Sequence, residues 1–167
     1  MVCRNLEMNV PGSFLLSIMM AEMRVHVKFT QYDLLENRSS VIADGNGILA
    51  GSRLMYLEKE NPSAKNEILF EEGRIVLKRM ADVSSETELL EGKPGMAKVT
   101  SPYGEMYLET SLERSSCSEE VWEAVYRILS DGEPVVYQRL VWEISPSEDR
   151  LACRKAEHGL TSRETVL

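Results

Sequence analysis

Residues 66–144 form a succession of short apolar runs punctuated by glycine turns. Turn signals recurring every eight to twelve residues or so mark antiparallel strands joined by hairpins, not strands alternating with crossover helices. Strands so joined must bury their apolar faces against one another, which leaves a sandwich or a closed barrel. Residues 67–70 and 74–80 flank Glu71-Glu72-Gly73, a loop of hairpin length.

The same two-residue period begins earlier. Val25, Val27 and Phe29 point one way and His26, Lys28 and Thr30 the other, as in a half-buried strand. His26 belongs to the polar face and, with no second histidine nearby, reads as an exposed strand residue and not a ligand. Residues 41–50 are interrupted by Asp44-Gly45-Asn46-Gly47, which suits either a tight hairpin or the bend at which a sheet curls into a barrel. A calcium loop would need further acidic ligands and a closing Glu at fixed spacing, which this stretch lacks. Leu54, Met55, Tyr56 and Leu57 are apolar on both faces, so something is expected to pack over the outside of that strand.

Residues 121–130 are ambiguous. Val121, Val125, Ile128 and Leu129 fit a helical stripe with Ser118 as N-cap, whereas Trp122, Ala124, Tyr126 and Ile128 fit one face of a strand. Asp131-Gly132 directly before the apolar residues 135–144 is a hairpin signal and favours two strands. In the second, Val136, Leu140, Trp142 and Ile144 share a face with Gln138.

At 167 residues the chain is long enough for one domain with a sizeable core. A net charge of -8 and a pI near 4.9 argue against nucleic acid or an anionic membrane surface as partner. The acid is concentrated in residues 57–123, with fifteen Asp or Glu against eight Lys or Arg, and reads as the solvated face of a barrel. Cys3, Cys117 and Cys153 are odd in number and widely spaced, which is neither a disulfide framework nor a zinc signature. They are read as free thiols in a reducing, cytoplasmic compartment, and no metal or cofactor is expected.

Residues 14–21 are an apolar run too short to span a membrane. With only Arg4 before it, and Glu7 and Pro11 between, the run lacks the basic start of a secretory signal. Residues 1–22 are therefore read as an extension, either upstream of a natural start at one of the methionines up to Met23 or a loosely attached covering piece. The barrel is placed at residues 23–145, and residues 146–167, with four acids and four bases over 147–167, form a polar tail.

The order Ile75-x-Leu77-x-Arg79, then Leu89-Leu90-Glu91-Gly92, then the segment from Val99 through Thr100, Tyr103-Gly104 and Thr110, with Tyr126 following, resembles the YwiB-like family of small bacterial proteins. The resemblance covers about residues 24–145 and departs from the family pattern at Ala81 and Arg139. It implies an all-β, calycin-like (lipocalin-like) antiparallel barrel of eight to ten strands, with a strand at 121–130. The family is a domain of unknown function and supplies no catalytic residues.

A barrel of this size either fills with side chains or encloses one small, mostly apolar ligand. The leading expectation is a non-enzymatic binding module. Apolar positions Tyr56, Leu77, Met106, Leu108, Tyr126, Leu140 and Trp142 would line the interior, and Glu58, Arg79, Tyr103, Thr110 or Arg139 would orient a polar end or form buried Arg to Glu pairs. The alternative is a filled barrel, monomeric or dimeric, that meets a protein partner through its acidic surface or a sheet edge. An enzyme would need an acid and base pair, and Glu58 and Glu60, beside Asn61-Pro62-Ser63, are expected to face water instead.

Overall fold

The computed structural model describes residues 22–147. Ten strands follow one another: β1 (Met23–Asp33), β2 (Arg38–Ala50), β3 (Arg53–Leu57), β4 (Lys65–Glu71), β5 (Arg74–Met80), β6 (Ser84–Leu90), β7 (Gly95–Ser101), β8 (Gly104–Cys117), β9 (Val121–Ser130) and β10 (Glu133–Pro146). Each pairs antiparallel with its chain neighbours, and β1 also pairs with β10, so the sheet closes into an up-and-down barrel. Closure removes the exposed edges that an open sheet would present. Among the described residues no helix is long and apolar enough to cross a membrane. No group of three or more His, Cys, Asp or Glu among them could hold a metal ion. The extension and the polar tail, apart from Glu22, Pro146 and Ser147, lie outside the described residues.

Alternation decides what faces inward. Val25, Val27 and Phe29 of β1, Leu54 and Tyr56 of β3, Ile68 and Phe70 of β4, and Trp122, Ala124 and Tyr126 of β9 are all buried in one core. Residues 121–130 thus form a strand with the alternating face inward. Ser118 does not cap a helix; its Oγ accepts a 3.0 Å hydrogen bond from the Val121 N–H in the tight β8–β9 turn. Asp131 and Gly132 both have positive φ, 51° and 80°, the two-residue turn anticipated between β9 and β10.

Asp44-Gly45-Asn46-Gly47 is not a hairpin. It lies inside the unbroken β2, where glycine serves close approach: a Cβ on Gly47 would stand 2.6 Å from Val27 Cγ2 and 2.9 Å from the Met55 carbonyl oxygen. The irregularity sits just before it, where Phe29 pairs Ala43 but Thr30 pairs Val41. Ile42 is the extra residue of that β-bulge.

Much of the acid in the strand region is matched across strands on the outer wall. Arg53 reaches Glu67 at 3.2 Å, Arg74 reaches Glu88 at 2.8 Å, and Glu123 joins both Arg114 and Arg139 at 3.2 and 2.8 Å. His26 faces outward as expected, its Nε2 2.7 Å from Asp44 Oδ1. Cys117 is disulfide-bonded, which overturns its reading as a free thiol.

Candidate functional site

The inward row changes character along the barrel. Toward the end where β1 begins and β10 finishes, the inward side chains are large and apolar, with Phe70 and Trp122 in tilted contact at 5.4 Å, and a cavity of about 650 Å³ opens beside Phe70, Leu112 and Cys117 under the acidic β4–β5 and β6–β7 turns. Toward the other end, where β3 leads into β4 and β5 into β6, inward positions become polar: Gln31, Glu58, Asn66, Arg79, Ser85 and Gln138. A cavity of about 340 Å³ opens there.

Its floor is aromatic. Phe29 stacks on Trp142 with ring planes 8° apart and centroids 5.1 Å apart, and tilts against Tyr56 at 5.8 Å. The Trp142 Nε1–H donates to the Tyr56 hydroxyl at 2.8 Å, which satisfies the indole in a buried setting. The Tyr56 phenol is pushed well above its ordinary range by burial, with the Trp142 hydrogen bond acting in the opposite sense. It therefore stays protonated, and its own proton has no hydrogen-bond acceptor among the described residues.

The rim is held by one ion pair. The β3–β4 loop turns Glu58 inward, where Arg79 Nε donates to its Oε2 at 2.5 Å and Arg79 Nη2 to its Oε1 at 3.0 Å. Asn66 Nδ2 adds a third donor at 3.0 Å, and Arg79 Nη1 donates to the Val83 carbonyl at 3.1 Å. The Arg79 hydrogen bonds hold the Glu58 carboxyl below the usual carboxylate range against an opposing desolvation effect, with Asn66 assisting. Lys59 N–H donates to the Ile42 carbonyl at 2.8 Å, tying the loop that carries Glu58 to the β2 bulge. Across the mouth, the Tyr126 hydroxyl donates to Gln138 Oε1 at 2.9 Å, and burial raises the Tyr126 phenol as it does Tyr56.

Five of the nine residues predicted for a ligand meet here: Tyr56, Glu58, Arg79, Tyr126 and Trp142, with Leu77 and Leu140 also on the wall. Glu58 does not face water, since its side chain is only 11% exposed; Glu60 is exposed. The other four stand elsewhere. Thr110 is fully buried but spans to β6, its hydroxyl donating to the Glu88 carbonyl at 2.7 Å. Arg139 is on the outer wall with Glu123, its guanidinium over the Tyr32 ring at 4.9 Å. Met106 is 56% exposed and Tyr103, at the tip of the β7–β8 hairpin, 99% exposed. That hairpin projects past the barrel, because β8 joins β9 only from Glu109 onward. An inward-parity residue such as Met106 consequently faces open space.

The residues missed were Gln31, Asn66 and Ser85, and the signal for them is a polar residue at an inward position of an alternating strand. Gln138 had already shown that signal.

The geometry can be set beside known proteins. No curated protein sequence matches the chain. Among solved structures, the crystal structure of the ywiB protein from Bacillus subtilis is similar with a TM-score of 0.52 and 18% identity over 75% of this chain and 92% of that one. At that identity the likeness concerns the fold. The sequence itself matches the family described as a domain of unknown function, DUF1934, over residues 25–140, from the first buried residue of β1 to Leu140 on the cavity wall. The chain is therefore a member of this YwiB-like family of unknown function.

Proposed function

We propose that the protein is a non-catalytic carrier or sensor of one small, uncharged, mostly apolar molecule, held in the cavity at the polar end of the barrel. The observation that carries this reading is an aromatic floor beneath a rim at which Glu58 and Arg79 already neutralise each other. An apolar body would stack against Phe29, Trp142 and Tyr56, and a carbonyl or hydroxyl would accept the free Tyr56 proton or meet the Gln138 amide. A charged ligand would have to break the Glu58–Arg79 pair to gain either group as its counterion, which is costly for half-buried groups. At about 340 Å³ the cavity sits near the low end of the roughly 300–1,000 Å³ usual for ligand sites, so the occupant is small. Glu58, with both oxygens engaged and its pKa lowered, is poorly suited to move protons.

Native mass spectrometry of the protein purified gently from its own host tests this. The expected result is a reproducible excess mass released on unfolding and absent from the Leu77→Trp variant, which fills the cavity wall while keeping a β-rich circular dichroism spectrum. A bare mass, or an excess that survives Leu77→Trp, refutes the carrier reading.

One observation favours a second reading, a protein interaction through a sheet edge. Residues 104–108 of β8 lie outside the ladder with β9, and Tyr103, Met106 and Tyr107 are exposed on and beside that free stretch. An extended partner segment adding there would use main-chain hydrogen bonds and these side chains.

A further inference from the structure

We propose that the apolar run at residues 14–21 lies across the outside of the barrel, over a second cavity formed on the wall of β2 to β5. This cavity, about 400 Å³, is lined by outward-facing Ile48, Met55, Leu57 and Met80, with Lys65 and Glu67 on β4 between them and Arg24 at its border. Met55 and Leu57 are among the side chains that made β3 apolar on both faces. The four apolar side chains stand out because other outward positions carry ion pairs, Glu67 of the cavity itself with Arg53 and, beside it, Arg74 with Glu88, and because Leu57 and Met80 are each about half exposed. An outward apolar patch on a charged wall marks a surface that something covers.

Connectivity selects the occupant. β1 enters the barrel at this patch: Met23 pairs with Leu49 and Arg24 with Ile48, so the chain before Met23 arrives at the patch's own edge. Only Glu22 and Met23 separate the run from Arg24, at most about 10 Å of chain. The run's eight residues span about 26 Å when extended, and β2 to β5 cover about 14 Å at about 4.8 Å per strand. It contains Phe14, Leu15, Leu16, Ile18, Met19 and Met20 and no charge, matching the patch in chemistry. Tethering also favours it over any free partner, because a short link gives a high effective concentration. The residues beyond Ser147 also leave beside Arg24, but residues 148–167 carry four acids and four bases and no comparable apolar run. The site is on the outer face of the strands, opposite the interior cavity, with Tyr56 and Asn66 in the wall between the two.

The test uses the full chain with Leu57 replaced by the photo-crosslinking residue p-benzoylphenylalanine, irradiated when dilute. The expected product is an intramolecular cross-link to a peptide within residues 14–21. A cross-link to residues 148–167, one joining two copies, or none at all overturns the proposal. Methionine oxidation gives a second readout that leaves the barrel sequence untouched. Met80 and Met96 on the barrel wall and Met106 on the projecting hairpin are 46, 55 and 56% exposed and should oxidise alike if nothing covers Met80. Instead, Met80 should be protected severalfold relative to Met96 and Met106, and Leu15→Asp with Leu16→Asp should abolish the protection while leaving the other two unchanged. Equal oxidation of the three in the unsubstituted chain refutes the proposal.

Discussion

The two ends of the barrel interior use the same alternation to opposite effect. At the end holding Trp122, inward residues are large and apolar and pack against one another, and the open space there is bordered by the acidic β4–β5 and β6–β7 turns; at the end holding Glu58 and Arg79 the inward residues are themselves polar and line the cavity. The first end supplies burial, the dominant favourable contribution to folding, and the second gives some of it up. A barrel that spends inward positions on Gln31, Gln138 and a Glu–Arg pair forgoes stability there, a pattern common at functional sites.

Breaking the apolar end should have the largest effect. Trp122→Ala removes a fully buried side chain packed on Phe70 and should cost about 3–5 kcal/mol, most of the margin of an ordinary domain. Urea unfolding followed by circular dichroism measures it, and a loss below about 1 kcal/mol would mean that this end is not close-packed. At the boundary between the two ends, Tyr56→Phe leaves the Trp142 indole N–H without its acceptor and should cost about 1–3 kcal/mol. The same variant should also lower retention of the excess mass on native ionisation. Unchanged stability would place another acceptor beside the indole.

The smallest effect belongs to the rim. Glu58→Gln should cost about 1 kcal/mol at neutral pH, below the roughly 1.5–3 kcal/mol of fully buried charged hydrogen bonds, because the Arg79 side chain is 36% exposed. The sign of its pH dependence follows from the lowered carboxyl. Glu58 titrates in the folded state below its ordinary value of 4.5, so its stabilisation is complete above that value and is lost as pH falls through the lower folded one. Unfolding midpoints of the two proteins should therefore differ at pH 7 and converge in acid. A gap that stays constant with pH would remove the ion pair as its cause.

Much of this comparison is legible in the sequence. Period-two alternation placed Tyr126 and Trp142 inward, and Asp131-Gly132 located the last hairpin. Alternation that turns Gln138, Leu140 and Trp142 inward also turns Arg139 outward, so its misplacement contradicted a signal already present. Met106 and Tyr103 are different. Alternation tells which face a residue shares but not whether a neighbouring strand continues far enough to enclose it, and β9 stops short of them. Two-residue steps from Tyr56 and Leu77 carry Glu58 and Arg79 inward, but that these two meet across 21 positions depends on the register of β3, β4 and β5, which no local pattern encodes. Thr110, within the most specific family segment, is explained by structure: it ties β8 to β6 across β7.

Closure of the barrel by β1 and β10 carries a consequence for how the chain comes to be folded. Val25 pairs with Pro146 and Phe29 with Trp142, contacts separated by nearly the whole described sequence. Hairpins such as β9–β10 can form as soon as both strands exist, whereas the last seam must wait for the final strand and for a large loss of chain entropy. On the ribosome, β1 would leave the exit tunnel with one edge unpaired until residues 133–146 follow, and the aromatic floor cannot assemble before Trp142 arrives. Folding of this barrel is thus expected to be slow for its size and to finish only once β10 has emerged, with the interval before closure as its period of greatest exposure to aggregation.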